Sequence, residues 1–281
     1  MKKFKYIAGE ENYYRYLKIG EIYDVLEYIP GVYGMEGDKI ILVTQGIKYR
    51  CFVFVGDEPL FIDFTAEVRN DIIDNILYDC FCTDPPYGIG KKTGTIGASR
   101  AKNSYDSFND TPEYISEKII PIFEKITSKR GAVTPGPKMM RKYPEPKDTG
   151  IFYQPAACGM SYWGRTTWQP ILFYGNDPRI GKTIDHLHYV LTEKSSCENH
   201  PCAKPQKGWD WLVNKVSLEG ETVFDPFMGS GTTGVSCVKL GRKFVGIEIS
   251  EKYFELACKR ITEATRQTSL FAKKEKIERL L

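Results

Sequence analysis

No stretch of the chain stays apolar for anything near the roughly 20 residues that a membrane-crossing helix needs. The opening Met1-Lys2-Lys3-Phe4-Lys5-Tyr6 has no apolar core of the kind an export signal carries, so a cytoplasmic setting is expected. Charge of one sign is also scarce. Lys and Arg number 39 against 36 Asp and Glu, and the net +3 excludes a polycation. Any nucleic-acid contact must then come from a local basic face. His is rare, at 3 residues, and the 8 Cys are scattered. Cys80-x-Cys82 and Cys197-x4-Cys202, with His200 between the latter two, fit no common zinc spacing. They read as reduced, incidental thiols, and no metal is expected. His186 and His188 have no carboxylate pattern beside them and read as a solvated or DNA-facing pair. Gly90-Lys91-Lys92 fails as a phosphate-binding loop, because Pro85 stands where its first glycine belongs and Lys92 where a Ser or Thr belongs. No separate acidic cluster suggests a nuclease.

What is present is ordinary globular material, 281 residues at 42% apolar and 13% aromatic, enough for one large domain or a core domain with a small one. Residues 1–66 hold short β-like runs separated by Pro30-Gly31, Gly34, Gly37-Asp38 and Gly56-Asp57. They suggest a small barrel or SH3-like module, either a stabilising appendage or a surface for DNA or a partner. Residues 67–265 are expected to form the main domain and 266–281 a charged tail.

The main domain is organised around Thr222-Val-Phe-Asp-Pro-Phe-Met-Gly-Ser-Gly-Thr-Thr-Gly234. Thr222 to Phe224 predicts a strand. A turn with Gly229 and Gly231 follows, then a helix carrying Val235, Val238 and Leu240 and stopping at Gly241. Strand, Gly-rich turn and helix open a nucleotide-binding βαβ unit, whose helix start favours a negative group. A second strand, Lys243 to Ile249, carries Glu248, 17 positions after Gly231, and an acid there can hold two ribose hydroxyls. These features alone leave a dinucleotide and another adenosyl cofactor both open.

Asp225-Pro226-Phe227-x-Gly229-Ser230-Gly231-Thr232 resembles motif I of the amino-methyltransferases, which bind S-adenosylmethionine (SAM). Asp84-Pro85-Pro86-Tyr87, after the apolar run Leu77 to Thr83, resembles motif IV of the DNA amino-methyltransferases. His200-Pro201-x-x-Lys204-Pro205 resembles their motif X, and Pro170-Ile-Leu-Phe-Tyr174 a late strand of that family. The likeness runs over about residues 75–262. With motif IV ahead of motif I, it implies the circularly permuted β class: a Rossmann-like α/β fold with a seven-stranded, mostly parallel sheet, helices on both faces and one antiparallel strand. Residues 65–76 are shorter than the family's usual lead into motif IV.

The resemblance implies a cofactor set of Lys204, Asp225, Phe227, Gly229, Gly231, Thr232 and Glu248, with SAM as cofactor. It implies a catalytic set of Asp84, Pro85, Pro86 and Tyr87. An exocyclic amine is a poor nucleophile because its lone pair is delocalised into the ring. Asp84 and the Pro85 carbonyl can each accept one amine proton and so localise that pair. Pro86 serves as a rigid spacer, Tyr87 offers a stacking face, and the base must leave the duplex to be reached. Asp at the head of motif IV favours adenine N6. N4-cytosine, an RNA or protein amide, or a partner-binding protein of the same fold are the alternatives. A cytosine-carbon enzyme needs a Pro-Cys-Gln thiolate, and the one Pro-Cys, Pro201-Cys202, continues with Ala203.

The partner expected is double-stranded DNA, met through Lys91, Lys92, Arg100 and Lys102 in a glycine-rich loop, and through Lys138, Arg141 and Lys142. A second subunit or a homodimer could share in recognition, as in DNA methylation and restriction–modification systems. Gln267-x-x-Leu270-Phe271 resembles the short peptide that docks on the bacterial sliding clamp. Helix signals also run from a cap at Thr111 or Asp110, with Pro112 at the first position, to about Thr127, from Trp209 to Val216, and from Glu251 to about Ala264.

Overall fold

The computed structural model describes residues 2–5, 22–29, 32–35, 41–45, 47–55, 58–66, 78–89, 110–155, 159–161, 163–179, 187–192, 204–248 and 250–278. Side chains are described for 78–89, 110–155, 163–179, 187–192, 204–248, 250 and 252–268. The chain divides into two compact units, residues 1–78 with 219–281, and residues 79–218.

In the first unit the strands are β1 Lys2–Lys5, β2 Ile22–Ile29, β3 Val32–Met35, β4 Ile41–Gln45, β5 Ile47–Val55 and β6 Glu58–Ala66. The second unit contributes β7 Cys80–Thr83, β8 Arg130–Val133, β9 Asp148–Tyr153, β10 Gly159–Ser161, β11 Gly164–Thr166, β12 Trp168–Tyr174 and β13 His188–Val190. The chain then returns to the first unit with β14 Thr222–Asp225 and β15 Lys243–Glu248.

β14 and β15 run parallel, joined by the helix α1, Thr232–Lys239. This is the βαβ unit that the glycine pattern predicts. Val223, Phe224, Phe244 and Ile247 are buried, because helices cover a parallel sheet on both faces. α1 stops where expected. The Gly241 N–H donates to the Val238 carbonyl and the Arg242 N–H to the Cys237 carbonyl, the paired bonds that close a helix on a glycine. β5 lies antiparallel on the other side of β15, pairing Val53 with Val245 and Arg50 with Glu248. The carboxy-terminal helix α2, Glu251–Glu278, packs on this sheet and buries Phe254, Ala257 and Ile261 at helical spacing. It runs beyond the expected end near Ala264, since no Gly or Pro interrupts residues 262–278 and helix-favouring side chains fill them.

In the second unit β7 and β8 pair in parallel, and so do β9 and β13. β12 lies between β8 and β9 and is antiparallel to both. Within the second unit the strand order is β7-β8-β12-β9-β13, with β12 the antiparallel one. The class is Rossmann-like α/β.

Thr111 caps a helical segment with its hydroxyl on the Tyr114 N–H and Pro112 in the first turn, as predicted. That segment is an α turn Pro112–Tyr114, a π-helical stretch Ile115–Ile119 and an α-helix Ile120–Ile126. Ile115, Ile119, Ile122, Phe123 and Ile126 bury one face. A further helix, Gln206–Val216, buries Trp209, Leu212, Val213 and Val216, with Trp209 stacked on Phe152 at 5.6 Å between centroids. Cys80 and Cys82 are buried thiols in β7, which makes them core residues. Cys197, Cys202, His186 and His200 lie outside the described residues. No described helix is long and apolar enough to cross a membrane.

Candidate active site

Two clusters sit at the carboxyl ends of parallel strands, where open α/β sheets place their ligands. One belongs to each unit.

In the second unit Asp84 follows β7 directly. Its Oδ1 accepts hydrogen bonds from Tyr87 Oη at 2.7 Å, Thr134 Oγ1 at 2.6 Å and Gln169 Nε2 at 3.1 Å. Its Oδ2 pairs with Lys204 Nζ at 2.6 Å. Lys204 also donates to Tyr87 Oη at 2.5 Å and stands 4.8 Å from the Tyr87 ring centroid. Gln169 Nε2 donates to the Tyr87 hydroxyl as well, and to the Thr134 carbonyl at 3.1 Å. Pro85 is buried and Pro86 half-buried. Asp110 secures the end of the turn. Its Oδ1 accepts the Gly88 N–H at 2.5 Å, and the Tyr87 and Ile89 N–H groups also bond to it. Burial raises the Asp110 carboxyl above its ordinary range despite those donors. The Tyr143 hydroxyl is buried and finds no hydrogen-bond partner among the described residues. Burial first, then the Asp84 charge, pushes its phenol up.

Sequence reasoning brought Asp84 and Tyr87 together but missed Thr134, Gln169 and Asp110. Each of the three comes from a different segment, and no local spacing links them to Asp84. Lys204, expected at a cofactor, lies against Asp84 and Tyr87.

In the first unit Asp225 ends β14 and is 2% exposed. Its Oδ1 accepts the Phe227 N–H at 3.0 Å and its Oδ2 the Thr233 hydroxyl at 2.6 Å. Glu248 ends β15 and is 8% exposed. Oε2 accepts the Gly229 N–H at 2.9 Å, and Oε1 the Ser250 N–H at 2.8 Å. One carboxylate therefore ties the glycine turn to the end of the neighbouring strand. Gly231 has φ +77° and caps α1 in the left-handed region. A Cβ there would stand 2.8 Å from the Ala257 side chain, so the glycine lets α2 approach the turn. Gly234 does the same, since a Cβ would meet Ile261 at 2.4 Å. Arg260 of α2 was not foreseen. Its Nη1 donates to the Ser230 carbonyl at 2.5 Å and Oγ at 2.9 Å, and to the Thr232 hydroxyl at 3.3 Å.

Among the basic residues, Lys138, Arg141 and Lys142 are exposed, whereas Lys91, Lys92, Arg100 and Lys102 lie outside the described residues. His188 is exposed in β13. Gln267 is exposed on α2, and Leu270 and Phe271 continue that helix.

A family model for N6/N4 amino groups, described as DNA methylase, matches residues 125–259. Over those residues the chain is similar to DNA methylases. The matched methylase range contains Thr134, Gln169, Lys204, Asp225 and Glu248, and it begins after Asp84-Pro85-Pro86-Tyr87. The type II methyltransferase M.HpaI of Haemophilus parainfluenzae is 26% identical over 239 residues, 73% of this chain and 74% of that protein. The DNA adenine methyltransferase YhdJ of Escherichia coli (strain K12) is 39% identical over 79 residues, 28% of this chain and 26% of that protein. Against YhdJ, then, the alignment spans about a quarter of the relative's length. The crystal structure of the M1.HpyAVI–SAM complex superposes at a TM-score of 0.48 and 19% identity, covering 69% of this chain and 95% of that one.

Proposed function

We propose that this chain transfers a methyl group from SAM to the exocyclic amine, N6, of an adenine flipped out of double-stranded DNA. The observation that carries the reading is the Asp84 carboxylate, set at the end of β7 beside the Tyr87 ring and steadied by Thr134 and Gln169. The amine donates one proton to Asp84 and the other to the Pro85 carbonyl, which draws its lone pair out of conjugation. Tyr87 receives the face of the base. Positioning and electrostatics supply the catalysis, and no covalent intermediate forms.

SAM, when bound, supplies an electrophilic methyl group on a sulfonium. Asp225, Phe227, Gly229, Gly231 and Thr232 hold its methionine side, and Glu248 its ribose. The fit rests on chemistry present in the first unit. A carboxylate accepts about four hydrogen bonds, so Glu248 can secure Gly229 and Ser250 and still receive ribose hydroxyls. The order of the two clusters along the chain, Asp84 before Asp225, supports the permuted β class.

DNA reaches the site over Lys138, Arg141 and Lys142 together with the basic 88–107 segment, in a cytoplasmic DNA-methylation or restriction–modification role. The test is long-read sequencing of DNA from cells expressing the protein. N6-methyladenine at one recurrent sequence is the expected result. N4-methylcytosine would move the target to the other amine, and unmodified DNA would remove the reading. A contact between Gln267, Leu270 and Phe271 and a sliding clamp belongs to the same proposal. Loss of clamp pull-down on replacing Leu270 and Phe271 with Ala is its check.

A further inference from the structure

We infer that Lys204 is a built-in occupant of the target-amine position, holding Asp84 until a base displaces it. The inference rests on the proposal that Asp84 receives the amine. The two carboxylate oxygens are used unequally. Oδ1 already accepts Tyr87, Thr134 and Gln169. Oδ2 is held by Lys204 alone among the described residues, at 2.6 Å. An incoming amine therefore meets Oδ2, the oxygen that Lys204 covers.

Nζ also donates to the Tyr87 hydroxyl at 2.5 Å and lies 4.8 Å from the ring centroid, at the hydroxyl edge of the ring that receives the base. It is also a positively charged nitrogen. The amine nitrogen gains positive charge as the methyl bond forms, so a site that stabilises an ammonium suits that transition state. For the same reason Lys204 cannot stay, because two like charges would then share one carboxylate.

Departure is cheap. The side chains of Lys204 and Asp84 are 16% and 21% exposed, and a flexible four-carbon stem lets the ammonium swing into water. In the empty enzyme Lys204 compensates a part-buried carboxylate that would otherwise stand charged and unpaired. A base that brings an amine donor can replace the Lys204 contact on Oδ2, and a base without the amine cannot.

The experiment measures steady-state methylation of a duplex carrying the target site, with SAM binding followed by calorimetry in the absence of DNA. For Lys204→Met we expect the KM for DNA to fall about tenfold, with kcat and the SAM dissociation constant within about twofold of wild type. An unchanged or raised KM at normal SAM binding would overturn the inference. So would SAM binding weakened about tenfold, which would make Lys204 a cofactor ligand, or a fall in kcat at unchanged KM. Lys204→Gln, neutral but still able to donate to Tyr87, is read by the same constants and keeps the test alive if the Met variant does not fold. A wild type that methylates no DNA sinks the underlying reading. An active wild type with an indifferent Lys204→Met sinks only this inference.

Discussion

Gln169 donates to Asp84 at 3.1 Å across 85 positions of chain, from the antiparallel strand β12 to the turn after β7. The same amide nitrogen also reaches the Tyr87 hydroxyl and the Thr134 carbonyl. It therefore ties the amine acceptor, the stacking ring and the end of β8 into one network. We expect Gln169→Ala to lower kcat by about 10- to 100-fold, the equivalent of about 1.5–3 kcal/mol for a hydrogen bond to a charged group. Asp84→Ala should abolish methylation outright. Calorimetry should show SAM binding intact in both. Turnover at the wild-type rate in either variant would remove the acceptor mechanism.

Glu248 offers a test of the first unit. Glu248→Ala should weaken SAM by about 1.5–3 kcal/mol through the lost charged hydrogen bonds to ribose. It should also lower thermal stability, because Gly229 and Ser250 each lose an acceptor. Titration calorimetry beside a thermal melt separates the two effects. Undiminished affinity would cancel the ribose assignment and leave Glu248 a purely structural clamp.

The Tyr143 hydroxyl costs stability where it stands. It is buried against Phe123, with ring centroids 4.7 Å apart, and has no hydrogen-bond partner among the described residues. Tyr143→Phe removes the desolvated hydroxyl and keeps the ring. We expect it to raise unfolding stability by about 1 kcal/mol. Urea titration checks this, and a loss of stability would mean that the hydroxyl has a partner in solution.

Asp110 should leave a pH signature. Burial raises its folded carboxyl above 3.8, so the fold favours the protonated form. Its contribution to stability is then fully present below pH 3.8 and is lost as pH rises through the folded value. Asp110→Asn is uncharged at every pH. Wild type should therefore lose ground to the variant between acid and neutral pH, as read from urea midpoints at a series of pH values. A difference running the other way would mean that the N–H groups of Tyr87, Gly88 and Ile89 outweigh burial.

The sequence by itself determined the parts whose chemistry is local. A β-branched strand, a glycine turn and a helix with a glycine stop can form only one unit, and Thr222 to Gly241 forms it. Thr111-Pro112 opens a helix because cap and fixed φ act over a single turn. Asp84, Asp225 and Glu248 were legible because each follows or closes a short apolar run, and Tyr87 because Asp84-Pro85-Pro86-Tyr87 resembles motif IV. Tertiary structure decided the rest. Register places Leu172 of β12 opposite Val133 of β8, and because β12 runs antiparallel its earlier residue Gln169 lies past the carboxyl end of β8, beside Thr134 and Asp84. No periodicity in Trp168–Tyr174 records that direction. Lys204 reads as a cofactor residue in a motif X-like stretch until packing sets it on Asp84, 120 positions away. Asp110 and Arg260 likewise hold backbone groups that lie far from them in sequence. Such partners are chosen by which chain ends meet in space, and local sequence carries no energy term for that choice.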